Sequence, residues 1–170
     1  MTAAQALFVT GFVAVNVVVA CAVVVVLRGA RAVDGGGWPA RGVLARLARL
    51  PAERAEANRW AHLAHRVSGV AIFAFLVLHL LDVSLYALSP AHFDQVHALY
   101  GTPVMRVFEC GLLLALLFHA LNGLRLVAVD LFDLGARAAT RVLGGVVAVS
   151  LVGTVAGSGV ILAPVLSGGA

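Results

Sequence analysis

The chain contains no lysine and only two cysteines, and charged residues fill just 12% of its 170 positions, with aromatics at 7%. A soluble domain carries roughly 25% charged and about 45–50% apolar residues. Here the apolar share is 62% and the mean hydropathy is +1.02. So little charge excludes an ordinary soluble enzyme and a disordered chain. The net charge of +4 and the pI of about 10.0 would suit a nucleic-acid binder. However, all 12 basic residues are arginines clustered between apolar runs, as in membrane proteins, so nucleic acid is not a partner. Cys21 and Cys110 lie in separate apolar runs, which excludes a disulfide framework or a metal-ligand spacing. Both read as small buried apolar residues.

What is present is hydrophobic length. Four runs, 6–27, 67–88, 104–129 and 142–164, match the roughly 20 helical residues that cross a hydrocarbon core. The predicted fold is therefore an all-α integral membrane protein with four transmembrane helices. The first run reads as a retained helix, because it has no basic n-region and exceeds the roughly 7–15-residue core of a signal peptide. Residues 28–66 hold eight arginines, Arg125 stands at the end of the third run with Arg137 and Arg141 after it, and 89–103 holds none. The positive-inside rule thus predicts a multi-pass protein of the cell inner (cytoplasmic) membrane, with 28–66 and 130–141 cytoplasmic and both termini outside. A matrix-side placement follows the same rule in a mitochondrion.

Three units are expected: an N-terminal transmembrane helix at 6–27, a basic cytoplasmic segment at 28–65, and a three-helix unit at 66–164. Within the second, Asp34 and three glycines form a hinge. Leu44, Leu47 and Leu50 among Arg41, Arg46 and Arg49 suggest a basic amphipathic helix at the headgroup surface. Pro51 opens a further helix that carries Trp60 into the second span. Outside, Ser89-Pro90 opens a short helix and Gly101-Thr102-Pro103 ends it.

Polar groups inside a bilayer are costly and mark candidate sites. At 100° per residue, with His79 at zero, His65 falls at about 40°, Ser68 and Tyr86 at about −20°, and Asp82 at about −60°. Such a line is either a hydrogen-bonded helix seam or a functional face. In the third span Gly111, Ala115, His119 and Gly123 recur every four residues. That stripe lets another backbone approach closely, or lets a flat macrocycle lie on the helix with the imidazole at its iron. Arg125 is either a snorkelling terminal charge or the holder of an anion such as a haem propionate.

Two motifs together, His65-Arg66-Val67-Ser68-Gly69 and His119-Ala120-Leu121-Asn122-Gly123-Leu124-Arg125 leading to Asp130, resemble those of the cytochrome b membrane-anchor subunit of succinate dehydrogenase, complex II. The likeness covers roughly 60–164. It implies that His119 is an axial ligand of haem b, with the other ligand from a second membrane anchor. It implies that Arg66 lines a ubiquinone or menaquinone site and approaches a haem propionate, as does His65. Ser68 matches the motif hydroxyl, competing with a role as helix cap. Some members place a serine on the quinone where this chain has His62, beside Trp60 at the interface. The resemblance further implies a flavoprotein subunit with FAD and an iron–sulfur subunit as partners.

The chain departs from the family's usual three spans by the helix at 6–27. It departs again at His79, about 20 Å along the helix from Arg66. That depth leaves two readings, a second, distal haem or a polar seam of His79 and Asp82 joined by Arg106 and Glu109. Competing functions are the b-type cytochrome subunit of another quinone-linked oxidoreductase, and a haem-free transporter or structural protein using its histidines as hydrogen-bond glue. The anchor motifs carry no information on direction, so fumarate reduction stays open.

Overall fold

The computed structural model describes residues 2–33 and 54–168. The expected hinge at 34–37 and the amphipathic helix around Leu44–Leu50 lie outside the described residues. Five helices follow one another: α1 (Ala3–Val33), α2 (Arg54–Leu88), α3 (Pro90–His97), α4 (Pro103–Leu131) and α5 (Ala136–Leu166). Four of them are long and apolar enough to cross a membrane, over Ala3–Val25, Ala57–Leu88, Pro103–Leu131 and Ala136–Leu166. The helices outrun the apolar runs because arginines and glutamates at their ends continue the helix into the headgroup layer. At 1.5 Å per residue α2 is about 52 Å long, against a hydrocarbon core of about 30 Å. Its first turns therefore stand on the basic side, and His65 and Ser68 fall near that boundary.

The short outer helix forms as its sequence predicts, with Pro90 in its first turn. Ser89 sits at the cap position, but its hydroxyl meets the His92 ring at 2.8 Å rather than a backbone amide. Pro103 then opens α4. At the other end α4 turns into α5 through Asp133, whose φ of 46° is a left-handed conformation that aspartate tolerates better than most residues. This tight turn brings the start of α5 back beside the end of α4.

The residue distribution is that of a protein dissolved in lipid. Among the described residues the buried apolar set is small, including Leu63, Leu78, Met105, Leu143 and Val146. Beside its eight members stand five buried polar residues, Ser68, Asp82, Asn122, Arg125 and Ser150. Leucine and valine project outward along every span, since lipid offers no penalty for them and helix association must come from close packing and hydrogen bonds. The glycines that α5 packs through are Gly153 and Gly157, which meet Leu117 and Leu113 of α4. Gly111, the first member of the four-residue stripe on α4, faces open space instead. The stripe is thus not the α4–α5 seam. Cys21 is exposed rather than buried, and Cys110 is half-buried. In lipid the small apolar thiol gains nothing from leaving the surface.

The N-terminal helix packs on α2 and α3. Phe8 meets Tyr100 edge-on at 5.8 Å, Phe12 meets Phe108 at 5.0 Å, and the Gln5 amide donates to the Gln95 carbonyl at 3.0 Å. These contacts all lie in the outer half of the bundle.

Candidate functional site

The two motif histidines meet where α2 and α4 run antiparallel. Their rings stack at 4.0 Å between centroids, 4° from parallel. His119 Nδ1 lies 3.0 Å from the His65 carbonyl oxygen and 3.2 Å from the Ser68 hydroxyl oxygen. The Ser68 hydroxyl donates to that same carbonyl at 3.0 Å. A carbonyl oxygen can only accept, so Nδ1 carries the proton and Nε2 is left with its lone pair. A carbonyl bond of this kind fixes both tautomer and ring orientation in a histidine that binds metal through its other nitrogen.

The backbone explains how two bulky rings fit between helices. A Cβ on Gly69 would stand 2.8 Å from His119 Cε1, and one on Gly123 would stand 3.3 Å from His65 Cε1. Each histidine is followed four residues later by a glycine, and each glycine receives the other helix's histidine. The repeated His-x-x-x-Gly spacing was the available signal for this reciprocal arrangement. Gly69→Ala is expected to force His119 aside and to destabilise the α2–α4 pair by about 1–3 kcal/mol, the usual cost of overpacking. Thermal unfolding of the detergent-solubilised protein measures this. Gly111→Ala, with nothing within 4 Å of its Cβ, is the matched control and should stay within about 0.5 kcal/mol of the parent.

Toward the basic side of this cluster lies Arg125, which is 5% exposed and does not snorkel. Its Nε donates to the Ala139 carbonyl of α5 at 3.0 Å, one terminal nitrogen donates to Asn122 at 3.4 Å, and the other donates to Asn58 of α2. One guanidinium thus ties three helices together through neutral acceptors, which leaves it two further N–H groups. Asn122 is fully buried, and its Nδ2 has no hydrogen-bond partner among the described residues. The same holds for His65 Nδ1. Asn58 and Asn122 carry no motif signal of their own, so their role emerges only from the packing.

The remaining predicted residues fall elsewhere. His62 and Arg66 are exposed on α2, and Trp60 is half-buried. His79 lies in the outer half of α2, its ring stacked on Phe75 at 5.6 Å. Asp82 is buried, but it pairs with Tyr100, whose hydroxyl donates to Oδ2 at 3.1 Å. Burial, then the Asp82 charge, push the Tyr100 hydroxyl well above its ordinary value, so it remains a protonated donor. Arg106 and Glu109 form an ion pair at 3.3 Å on α4. The predicted shared face of α2 therefore divides: Ser68 and Asp82 point inward, while His79 and Tyr86 are exposed.

Fold and site together define a multi-pass, all-α membrane protein with a histidine pair clamped between two spans near its basic face. The model of the succinate dehydrogenase/fumarate reductase transmembrane subunit family matches residues 47–157. The chain belongs to that family. The succinate dehydrogenase 2 membrane subunit SdhC of Mycobacterium tuberculosis is 42% identical over 84 residues, 49% of this chain and 62% of that relative. The succinate dehydrogenase hydrophobic membrane anchor subunit of Halobacterium salinarum is 34% identical over 106 residues, 58% of this chain and 80% of that relative. No solved structure matches the chain.

Proposed function

We propose that the chain is a membrane-anchor subunit of a succinate:quinone oxidoreductase in the cell inner membrane, helping to hold haem b and to build the quinone site. A flavoprotein subunit with FAD, an iron–sulfur subunit and a second membrane anchor supply the rest. The observation that carries this reading is the His119 imidazole, its Nδ1 proton tied to the His65 carbonyl and its Nε2 free to bind iron. Neutral imidazole in a fixed tautomer is a good iron ligand. The unpartnered amide donor of Asn122 nearby suits an acceptor-rich group. These residues fit haem b, which when bound supplies a one-electron redox centre.

In this reading His119 would hold the haem iron, and His65 and Arg66 would serve its propionates. Arg125 contributes there with its two remaining N–H groups while it clamps α2, α4 and α5. Ubiquinone or menaquinone binds beside the exposed side chains of His62 and Arg66, near Trp60, whereas Ser68 turns inward to the His65 carbonyl and His119. Reduction of a quinone oxygen needs a cation against the developing charge and a proton donor. The Arg66 guanidinium supplies the first and the histidines the second. The N-terminal helix (6–27) is an addition to the three-helix anchor at 66–164, joined to it by the cytoplasmic basic segment 28–65.

His79 stands exposed on Phe75, apart from the Asp82–Tyr100 pair, and in this reading it binds no second haem. The test is the complex purified through this chain. It should contain the two soluble subunits and a single haem b that survives His79→Leu. Two haems falling to one with that substitution would overturn this reading of His79, and a complex without a b-type spectrum would overturn the haem reading.

A further inference from the structure

Among the described residues the Ser68 hydroxyl meets only its own cluster. The residue is 8% exposed, and its Oγ donates to the His65 carbonyl at 3.0 Å while standing 3.2 Å from His119 Nδ1. A hydroxyl has one proton and two acceptor lone pairs. With the proton on the carbonyl, the oxygen faces the Nδ1 proton as an acceptor. That proton therefore lies between two oxygens, the His65 carbonyl at 3.0 Å and Ser68 Oγ at 3.2 Å. Inside α2 the same carbonyl also takes the backbone N–H of Gly69, so its two lone pairs serve three donors. The hydroxyl relieves an overcommitted acceptor.

A single acceptor fixes where an N–H points but leaves the ring free to turn about that line. A second acceptor, three residues further along α2, removes that freedom, whereas the stacked His65 ring backs only one face of His119. We propose that Ser68 is a positioning residue for His119: its hydroxyl oxygen is the second acceptor of the Nδ1 proton and fixes the plane of the imidazole, and it is not a quinone contact. A partner on the non-ligating nitrogen sets the orientation of a histidine that binds metal. That consequence rests on the haem reading above, while the hydrogen bond is a property of this chain alone.

Two readouts keep the two apart. In the full chain in haem-free nanodiscs, heteronuclear NMR of labelled histidine should show one Nδ1-protonated His119 signal, assigned by its loss in His119→Ala. In Ser68→Ala that signal should shift and broaden as the ring gains orientations. In the assembled complex, electron paramagnetic resonance of the oxidised haem reads the ligand plane. Its low-field line should move in Ser68→Ala at undiminished b-type absorbance and return in Ser68→Thr, which restores the hydroxyl. The KM for quinone should stay within about twofold of the parent. Ser68→Cys, close to serine in size but a weak acceptor, should move both signals as alanine does, so failed assembly of the alanine variant leaves the test intact. Unmoved signals in Ser68→Ala and Ser68→Cys would overturn the proposal, as would a severalfold rise in quinone KM with an unmoved low-field line. A complex without a b-type spectrum whose chain still shows the NMR shift would remove the haem reading and keep the Ser68 bond.

Discussion

Replacing His119 with alanine should abolish the b-type band in the reduced-minus-oxidised absorbance of membranes that contain the assembled complex. The neighbouring positions of α4, Phe118 and Ala120, carry no nitrogen that could take over the iron. His65 is no substitute, because its ring stacks flat on the missing one and its carbonyl, not its imidazole, organises the site. The loss should be close to complete, while the subunit remains present in the membrane at its normal level. The polar clamp at Arg125, six residues along α4, does not include His119, so the bundle itself should survive. A b-type band of unchanged height with normal subunit levels would remove His119 from the haem site.

Arg66→Leu is expected to cripple succinate–quinone reduction by orders of magnitude, whereas succinate–dye activity, which tests only the soluble subunits, should persist. The guanidinium is always charged, and in a water-poor site one preorganised donor to a developing negative oxygen contributes on the order of 3–4 kcal/mol. Arg66 is exposed on α2, so its removal opens no cavity and should leave packing intact. Lysine at the same position should restore only part of the activity, since it keeps the charge but loses the planar fork. Parallel loss of both activities would instead mark Arg66 as an assembly residue.

Much of this was legible in one dimension, for reasons that differ from residue to residue. The spans were visible because lipid as a solvent demands continuous apolar length. Their ends were not, since terminal arginines and glutamates are good helix formers and extend α2 back to Arg54. The cluster of His65, Ser68 and His119 was named from motif residues, and the packing brings those three together. The same wheel that aligned His79 and Tyr86 with Ser68 and Asp82 could not tell an inward from an outward half of that face. Its width exceeds the contact that α4 makes.

Arg125 is the clearest case of a role hidden in sequence. A charge near the end of an apolar run has two outcomes, reaching outward to water or turning inward to acceptors. Only the turn at Asp133, which returns α5 beside α4, supplies the Ala139 carbonyl that decides between them. Asn58, 67 residues away in the chain, supplies a further acceptor.

By itself, then, the sequence determined the solvent of this protein and the number of its spans, and it named the histidines that the α2–α4 contact brings together. Each of these depends on composition or on spacing within a single helix. Tertiary structure alone decided which histidine nitrogen is free, that each glycine accommodates the opposite ring, that Asp82 turns to Tyr100 and that Arg125 is buried. Those outcomes depend on which atoms of one helix stand opposite which atoms of another, and no local pattern encodes that register.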